Sequence, residues 1–413
     1  MINSDITIPL TLEKEMTKKY TIAIVGGGIS GVSLAHFAAQ HSHKSIILEK
    51  RDKLGGCIET YYSAKKLDFW LELGAHTIYN SYQYFIQMYQ NNNLSLQPQM
   101  RENHPFKLLN RDDKIANILT TLNIIRAGVG FPLFKLSKTR DRTVADYFSF
   151  IFGSNNYQKT LRYCFDAVLC QESQDFPSDF LFKVRPKDKS LPRSFTFKNG
   201  LSSIFEKLIN PYIDISLDSQ VFNIKKLGNH WHIKTNHDDI LADKLIFATP
   251  WHITQKFLAQ IHDPIAKIEY SPGISNLTTI ALIFDKDKLK HIKPVSGIIG
   301  VEQNFFSIVT RDTISHEKYR SMTIHFKGKR ESHEQLINEF LYKLEIPKNA
   351  IIDIHHKYNS VPKYHPKHQK FLTNLNAQLA KDITLGLTGN YFTRLAIEDC
   401  AKRSYFEVKR LFA

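Results

Sequence analysis

The chain has 413 residues, too many for one simple core, so two or three domains are expected. With 42% hydrophobic and 12% aromatic residues it is globular, not disordered or fibrous. Its 55 lysines and arginines against 40 acids leave a net charge of +15, a field that draws anions of any class. No helix-turn-helix, zinc-finger or RNA-binding signature accompanies the charge, so no nucleic-acid partner is expected.

Residues 1–20 mix acids, bases and polar groups without an apolar core, so no signal peptide is expected; Met16 is a second candidate start. Residues 1–19 read as an N-terminal extension. Next, "YTIAIV" (20–25) and "KSIILE" (44–49) are short apolar strands flanking a helix-length segment, a βαβ unit that implies a parallel sheet. Between strand and helix stand Gly26, Gly28 and Gly31, a G-x-G-x-x-G with Ile29 and Ser30 in its gap. In this context the first glycine allows a tight turn, the second admits a pyrophosphate to the backbone, and the third lets helix and strand pack closely. The phosphates would meet free N–H groups at the helix N-terminus. Glu49, 18 residues after Gly31 and followed by Lys50, ends the second strand where a carboxylate accepts from ribose hydroxyls.

Segments between Ser81 and Glu172 have helical spacing; in "YQKTLRYCFDAVL" the residues Tyr157, Leu161, Cys164, Phe165 and Val168 fall on one face. The apolar stretch 115–136 carries Arg126 and is broken by Gly128, Gly130 and Pro132, so it cannot span a membrane. It reads first as a buried helix and turn, and as its alternative a helix lying on a membrane surface. "LGNH" (227–230) supplies a hairpin turn, and "DKLIFATP" (243–250) a buried strand. From about 275 to 365, strands such as "SMTIHF" alternate with the helix "HEQLINEFLYKLE", a mostly antiparallel α+β region. The chain closes on a strand, a glycine turn and a helix with Glu398 and Asp399 in its first turn and Lys409 and Arg410 in its last, which suits the helix dipole.

The four cysteines, Cys57, Cys164, Cys170 and Cys400, form no C-x-x-C pair, which argues against zinc and against a disulfide scaffold and fits a reducing cytoplasm. No metal site is expected. The localisation read from these features is cytoplasmic, with the helical region and its basic flanks, including 181–194, touching the membrane face.

A second glycine pair, Gly55 and Gly56, follows Glu49 in "EKRDKLGGCIET" (49–60). With it the sequence resembles the superfamily of flavin-dependent amine oxidases, phytoene-type desaturases and protoporphyrinogen oxidases. It departs from that pattern at Lys53, where the family has arginine, and at Cys57, where it has arginine or lysine. "FWLELGAHTIYN" (69–80) is similar to the family strand whose Gly74-Ala75 backbone passes the flavin ring, with His76 beside it. "FTFKNGLSSIFEKL" (195–208) is similar to its glycine-leucine segment, and Val221 stands where a valine meets the adenine end. "LGLTGNYFTRLAIEDCAKRS" (385–404) is similar to the C-terminal flavin motif, a Gly389-Asn390 turn leading through Ala396 and Ile397 into a helix that faces the pyrimidine end.

The resemblance implies an α/β fold: a Rossmann-like FAD-binding domain of the GR2/amine-oxidase type from 20–82, 196–270 and 381–413, a helical insert at 83–195, and an α+β substrate domain at 271–380. FAD is the implied cofactor. "IEDC", "HHKYNSVPKYHPKHQKFLTNL" (355–375) and the hairpin-like "PFKLLNRDDKI" (105–115) are similar to the protoporphyrinogen oxidase branch, with Arg403-Ser404 in place of the usual Ser-Gly. The implied reaction is dehydrogenation of a porphyrinogen, an apolar polycarboxylate, by hydride transfer to flavin, with O2 or another acceptor taking the electrons. Such chemistry needs no nucleophile or metal. Arg101 and Lys107 are the candidate cations for a substrate carboxylate, and His76 is the candidate proton-transfer residue. An amine oxidase, a carotenoid-type desaturase and a non-catalytic flavoprotein are the competing readings.

Overall fold

The computed structural model describes residues 18–65, 67–90, 97–136, 141–208, 210–392 and 394–413. The expected N-terminal extension and Met16 lie outside the described residues, apart from Lys18 and Lys19, which already belong to the first strand.

Strand β1 (Lys18–Val25) leads into helix α1 (Ile29–Ala39) and back into β2 (Ser45–Leu48), which pairs with β1 in parallel from Ile22↔Ser45 to Val25↔Leu48. All four residues of β2 are buried, as a central parallel strand covered on both faces requires. α1 is buried almost all round because small residues, among them Gly31, Ser33, Ala35 and Ala38, let it sit between the sheet and the C-terminal helix Ile397–Leu411. The seven-stranded sheet runs Ile213–Ser216, β2, β1, Asp239–Phe247, His230–Thr235, Val221–Leu227, with Leu385–Leu387 also pairing with Asp239–Phe247. His230–Thr235 is antiparallel to both its neighbours, Val221–Leu227 across the Gly228 turn and Asp239–Phe247, and the other pairings are parallel.

A second seven-stranded sheet orders Ile351–Lys363, Gly273–Asp285, Tyr319–Lys327, Phe305–Thr310, Gly297–Gly300, Phe106–Leu109 and Ile115–Asn117. It is antiparallel except where Gly297–Gly300 meets Phe106–Leu109. Helix His333–Lys343 packs on it through Leu336, Ile337, Phe340 and Leu341.

Several sequence expectations are corrected here. Residues 83–195 are not one helical insert: Phe106–Leu109 and Ile115–Asn117 form a hairpin that completes the second sheet, and Pro98–Met100 pairs with Ser194–Phe197. Helix Gln83–Gln90 belongs with the dinucleotide-binding layer, its Tyr84 and Phe85 N–H groups donating to Glu398 at 3.2 and 3.1 Å. Helix His368–Leu379 buries Phe371, Leu372, Leu375 and Leu379 in the core that holds β1, so the sheet domain ends at Lys363 instead of 380. Val168 is 69% exposed. A π-helical turn over Tyr157–Leu161 precedes Arg162–Leu169; Phe165 stays buried and Cys164 packs on the cluster of Leu108, Tyr163 and Ile299, so of the expected face only Val168 turns out to solvent.

The stretch 115–136 is not a buried helix. It forms a strand, a 3₁₀ turn and the helix Ile124–Leu136, whose Gly130 abuts the Ile151 carbonyl of helix Val144–Phe152 while Ile124, Ile125 and Val129 point to solvent. No helix among the described residues is long and apolar enough to cross a membrane.

Candidate functional site

A cavity of about 530 Å³ opens at the carboxyl ends of β1 and β2, where open parallel sheets place their ligands. Its floor is the β1–α1 turn. Gly26 adopts φ +110°, a left-handed conformation, and a Cβ there would lie 2.9 Å from the Ala248 carbonyl oxygen. A Cβ on Gly31 would lie 2.0 Å from the Gly26 oxygen, so this glycine serves helix–strand packing. Gly28 differs: its added Cβ would find only the Gly56 Cα, at 3.8 Å. The chain is free to carry a side chain at Gly28 as far as packing goes, so the space kept open there belongs to a ligand.

The second glycine pair closes the cradle. Gly55 N–H donates to the Gly27 carbonyl at 2.9 Å and forms a parallel bridge with Gly28. Glu49 Oε2 accepts from Gly27 N–H at 2.7 Å and Oε1 from Arg51 N–H at 3.0 Å, which orients the carboxylate along the cleft wall while leaving acceptor sites over.

The structure brings Gly26, Gly28, Ile29, Ser30, Glu49, Lys50, Gly55, Gly56, Ala75, Val221, Gly389, Asn390 and Ile397 together around this cavity. Gly31, Gly74 and Ala396 support it from behind. A Cβ on Gly74 would strike the Cys57 oxygen at 2.2 Å, so Gly74 lets its strand press on the cradle, and Ala396 caps the C-terminal helix, its oxygen accepting from Asp399 N–H at 3.0 Å. Sequence reasoning missed a whole wall, Lys357–Ser360, because nothing local marks one strand of the second sheet as facing the cradle. It also missed Ser219, Gln220 and His252.

His76 lies beside this cavity, outside its lining. Its Nδ1 is 3.2 Å from the Gly74 oxygen, and burial, with Arg101 adding to it, pushes its pKa down to about 3. His76 is therefore a neutral ring at physiological pH and a poor store for a proton. His325, close enough to His76 to disfavour its charge, is pushed down to about 4 by burial. Its Nδ1 is 3.0 Å from Thr279 Oγ1, which accepts from Asn359 Nδ2 at 3.1 Å.

The two candidate cations part company. Arg101 is largely buried, donates from Nη1 to the His76 carbonyl at 2.8 Å, and has no carboxylate within ion-pair distance among the described residues. Lys107 is an exposed hairpin residue whose Nζ binds Asn117 Oδ1, away from the cavity, so it is not placed to meet a substrate there. Arg311 is a second largely buried guanidinium, stacked on Phe69 and Trp70 at 4.5 and 4.4 Å; with Arg101 it flanks Glu72, whose carboxyl burial raises to about 7. Among the described residues no His, Cys, Asp or Glu group could hold a metal ion.

Residues 24–91 match the NAD(P)-binding Rossmann-like domain family, which makes the cradle a dinucleotide-binding domain. The fold as a whole is shared with solved structures of an amine oxidase and of a provisionally named protoporphyrinogen oxidase. The chain matches a solved structure from Exiguobacterium sp. 255-15, provisionally named a protoporphyrinogen oxidase, with a TM-score of 0.75 at 18% identity over 97% of this chain and 100% of that one. Wild-type putrescine oxidase bound to putrescine matches at a TM-score of 0.68 and 10% identity, over 96% of this chain and 99% of that one. Among curated proteins, 15-cis-phytoene desaturase of Glycine max is 39% identical over 67 residues, 16% of this chain and 11% of that protein. Polyamine oxidase 4 of Oryza sativa subsp. japonica is 38% identical over 53 residues, 13% of this chain and 11% of that protein. The stretch of this chain that matches these relatives spans about one-tenth of their length.

Proposed function

We propose that the protein dehydrogenates protoporphyrinogen IX, or a closely related porphyrinogen, to the porphyrin, as an FAD-dependent oxidase. The observation that carries this reading is Arg101, a largely buried guanidinium without an acidic partner within ion-pair distance among the described residues, bonded to the carbonyl of His76, the residue that follows Ala75 of the cavity lining. A buried cation favours a carboxylate-bearing apolar substrate and repels the ammonium groups of a polyamine. The full-length likeness to the Exiguobacterium structure supports the same branch.

Bound FAD supplies the hydride acceptor, and O2, reduced to hydrogen peroxide, or another oxidant takes the electron pair onward. The chain's own work is placement. Gly28 and Gly56 admit the cofactor, Arg101 holds a carboxylate away from the reacting carbon, and His76 and His325, neutral and buried behind the cavity wall, add no charge that competes for it. The proton released with each hydride leaves to solvent. The exposed Ile124, Ile125 and Val129, with Arg126 among them, are where a peripheral membrane surface would meet the protein.

The test is anaerobic addition of porphyrinogen, a polyamine or a polyene to FAD-replete protein, following loss of flavin absorbance. Porphyrin fluorescence in air is then compared with an enzyme-free autoxidation control. Bleaching by porphyrinogen and a rate above the control are expected; a rate equal to the control rejects the reading.

A further inference from the structure

Lys357 stands on Ile351–Lys363, the edge strand of the second sheet, yet its side chain ends in the dinucleotide cradle. Its Nζ donates to the Gly56 carbonyl at 3.1 Å and to Glu59 Oε2. Glu59 is the hub of a charge cluster, with Arg51 Nη1 at 3.1 Å from Oε2 and Lys53 Nζ at 2.8 Å from Oε1. Burial acts to raise its carboxyl, but the hydrogen bonds from Lys357 and Lys53 prevail and hold it down at about 2. Glu49 lies 3.9 Å from Arg51. Two carboxylates thus face three cations, and one positive charge is left over. An ammonium has three N–H donors, and Lys357 uses two of them on the protein.

We propose that Lys357 is a dinucleotide-binding residue, meeting with its remaining donor and the cluster's surplus charge the pyrophosphate that lies over Gly28 and Gly56. This rests on the FAD reading. Gly56 faces Gly28, the residue whose missing side chain keeps the cradle open, so a cation bonded to the Gly56 carbonyl is at the phosphate path and not at the rim. Cys57, next in the chain, brings no cation of its own. Asn359 and Ser360 of the same strand also line the cavity, so the second sheet is part of the cofactor site as well as of the substrate side. Cofactor binding then fastens one domain to the other through an ammonium that already bridges them.

The experiment is equilibrium dialysis of purified holoprotein to give the FAD dissociation constant, for wild type, Lys357→Gln and Lys357→Arg, at low and at 0.5 M salt, together with the melting temperature with and without FAD. Lys357→Gln is expected to weaken FAD about ten- to hundredfold, the range for a hydrogen bond to a charged group. Its loss on adding salt should be smaller than that of wild type, and Lys357→Arg should recover most of the affinity. The FAD-free melting temperature should hold, because Arg51 and Lys53 still satisfy Glu59. Wild type that binds no FAD rejects the cofactor reading. Wild type that binds FAD, with Lys357→Gln binding it equally well or losing stability equally with and without it, overturns the role of Lys357 alone. If Lys357→Gln does not fold, Lys357→Met with Glu59→Gln, against Glu59→Gln alone, makes the same comparison.

Discussion

Gly28 and Gly56 face each other across the cradle: a Cβ on Gly28 would meet the Gly56 Cα at 3.8 Å, and one on Gly56 would meet the Gly28 Cα at 3.1 Å. Gly28 has an ordinary extended backbone, φ −73° and ψ 177°, which valine adopts readily. Gly28→Val should therefore fold and lack FAD, whereas Gly31→Ala, whose Cβ would strike the Gly26 oxygen at 2.0 Å, should lose the fold itself. Flavin absorbance and circular dichroism of the two purified variants separate the effects. Gly28→Val with tightly bound FAD contradicts the assignment.

Glu49 has two duties. Removing its carboxylate orphans the buried Gly27 N–H, a cost of about 1–3 kcal/mol, and also removes an acceptor from the cleft. Glu49→Ala should lower the melting temperature without FAD by several degrees and the FAD-bound one by more. Equal losses would confine Glu49 to a structural role.

Arg101 and Lys107 should respond differently to neutralisation. Arg101→Gln is expected to raise KM for a carboxylated substrate about tenfold with a smaller fall in kcat, because a contact far from the reacting carbon binds ground and transition states alike. Lys107→Gln, on its exposed hairpin, should leave both constants unchanged. Steady-state kinetics on the two variants decides.

Acid should weaken the fold through buried neutral histidines. His325 and His76, pushed down to about 4 and 3, protonate in the unfolded chain near 6.5 but not in the folded one. The unfolded state thus binds more protons below 6.5, so stability present above that pH is lost as pH falls toward 4. His36 and His368, each lowered to about 4 by burial, act in the same sense. Melting temperatures between pH 7.5 and 5 should fall, and His325→Asn should reduce the slope. An unchanged slope in the variant would show that His325 is not part of the effect.

The solvent-facing Ile124, Ile125 and Val129 should favour anionic vesicles, with Arg126 adding a component screened over about 8 Å at physiological salt. Sedimentation with liposomes should fall with salt and fall again in Ile125→Asp. A wild-type protein that stays wholly in the supernatant at low salt excludes the contact.

What was legible in the sequence follows physical demand. The cradle glycines stand out because a tight turn, a close backbone approach and helix–strand packing each require glycine at a stated spacing. The C-terminal helix was legible from its charged ends, and the 221–235 hairpin from its Gly228 turn. By contrast, nothing near Phe106–Leu109 announces a partner almost two hundred residues later, at Gly297–Gly300. Val168 was misplaced because apolar spacing marks a helix face without telling how far along it the neighbouring elements reach. Lys357 reads as one lysine in a basic strand, and only the packing of two domains shows where its ammonium ends.

The order of synthesis gives the parallel sheet a further consequence. β1 and β2 leave the ribosome well before their partners: β1 pairs with Asp239–Phe247 and β2 with Ile213–Ser216, and Ser404 Oγ returns to the Ser30 carbonyl at 2.8 Å across 374 residues. At about 5–20 residues per second, the cradle waits roughly 20–70 s for Gly389 and Asn390 to be made. During that time Ile22, Ile24, Ile46 and Ile47 are apolar strand residues without their final neighbours, so nascent chains of this protein are natural clients for a chaperone.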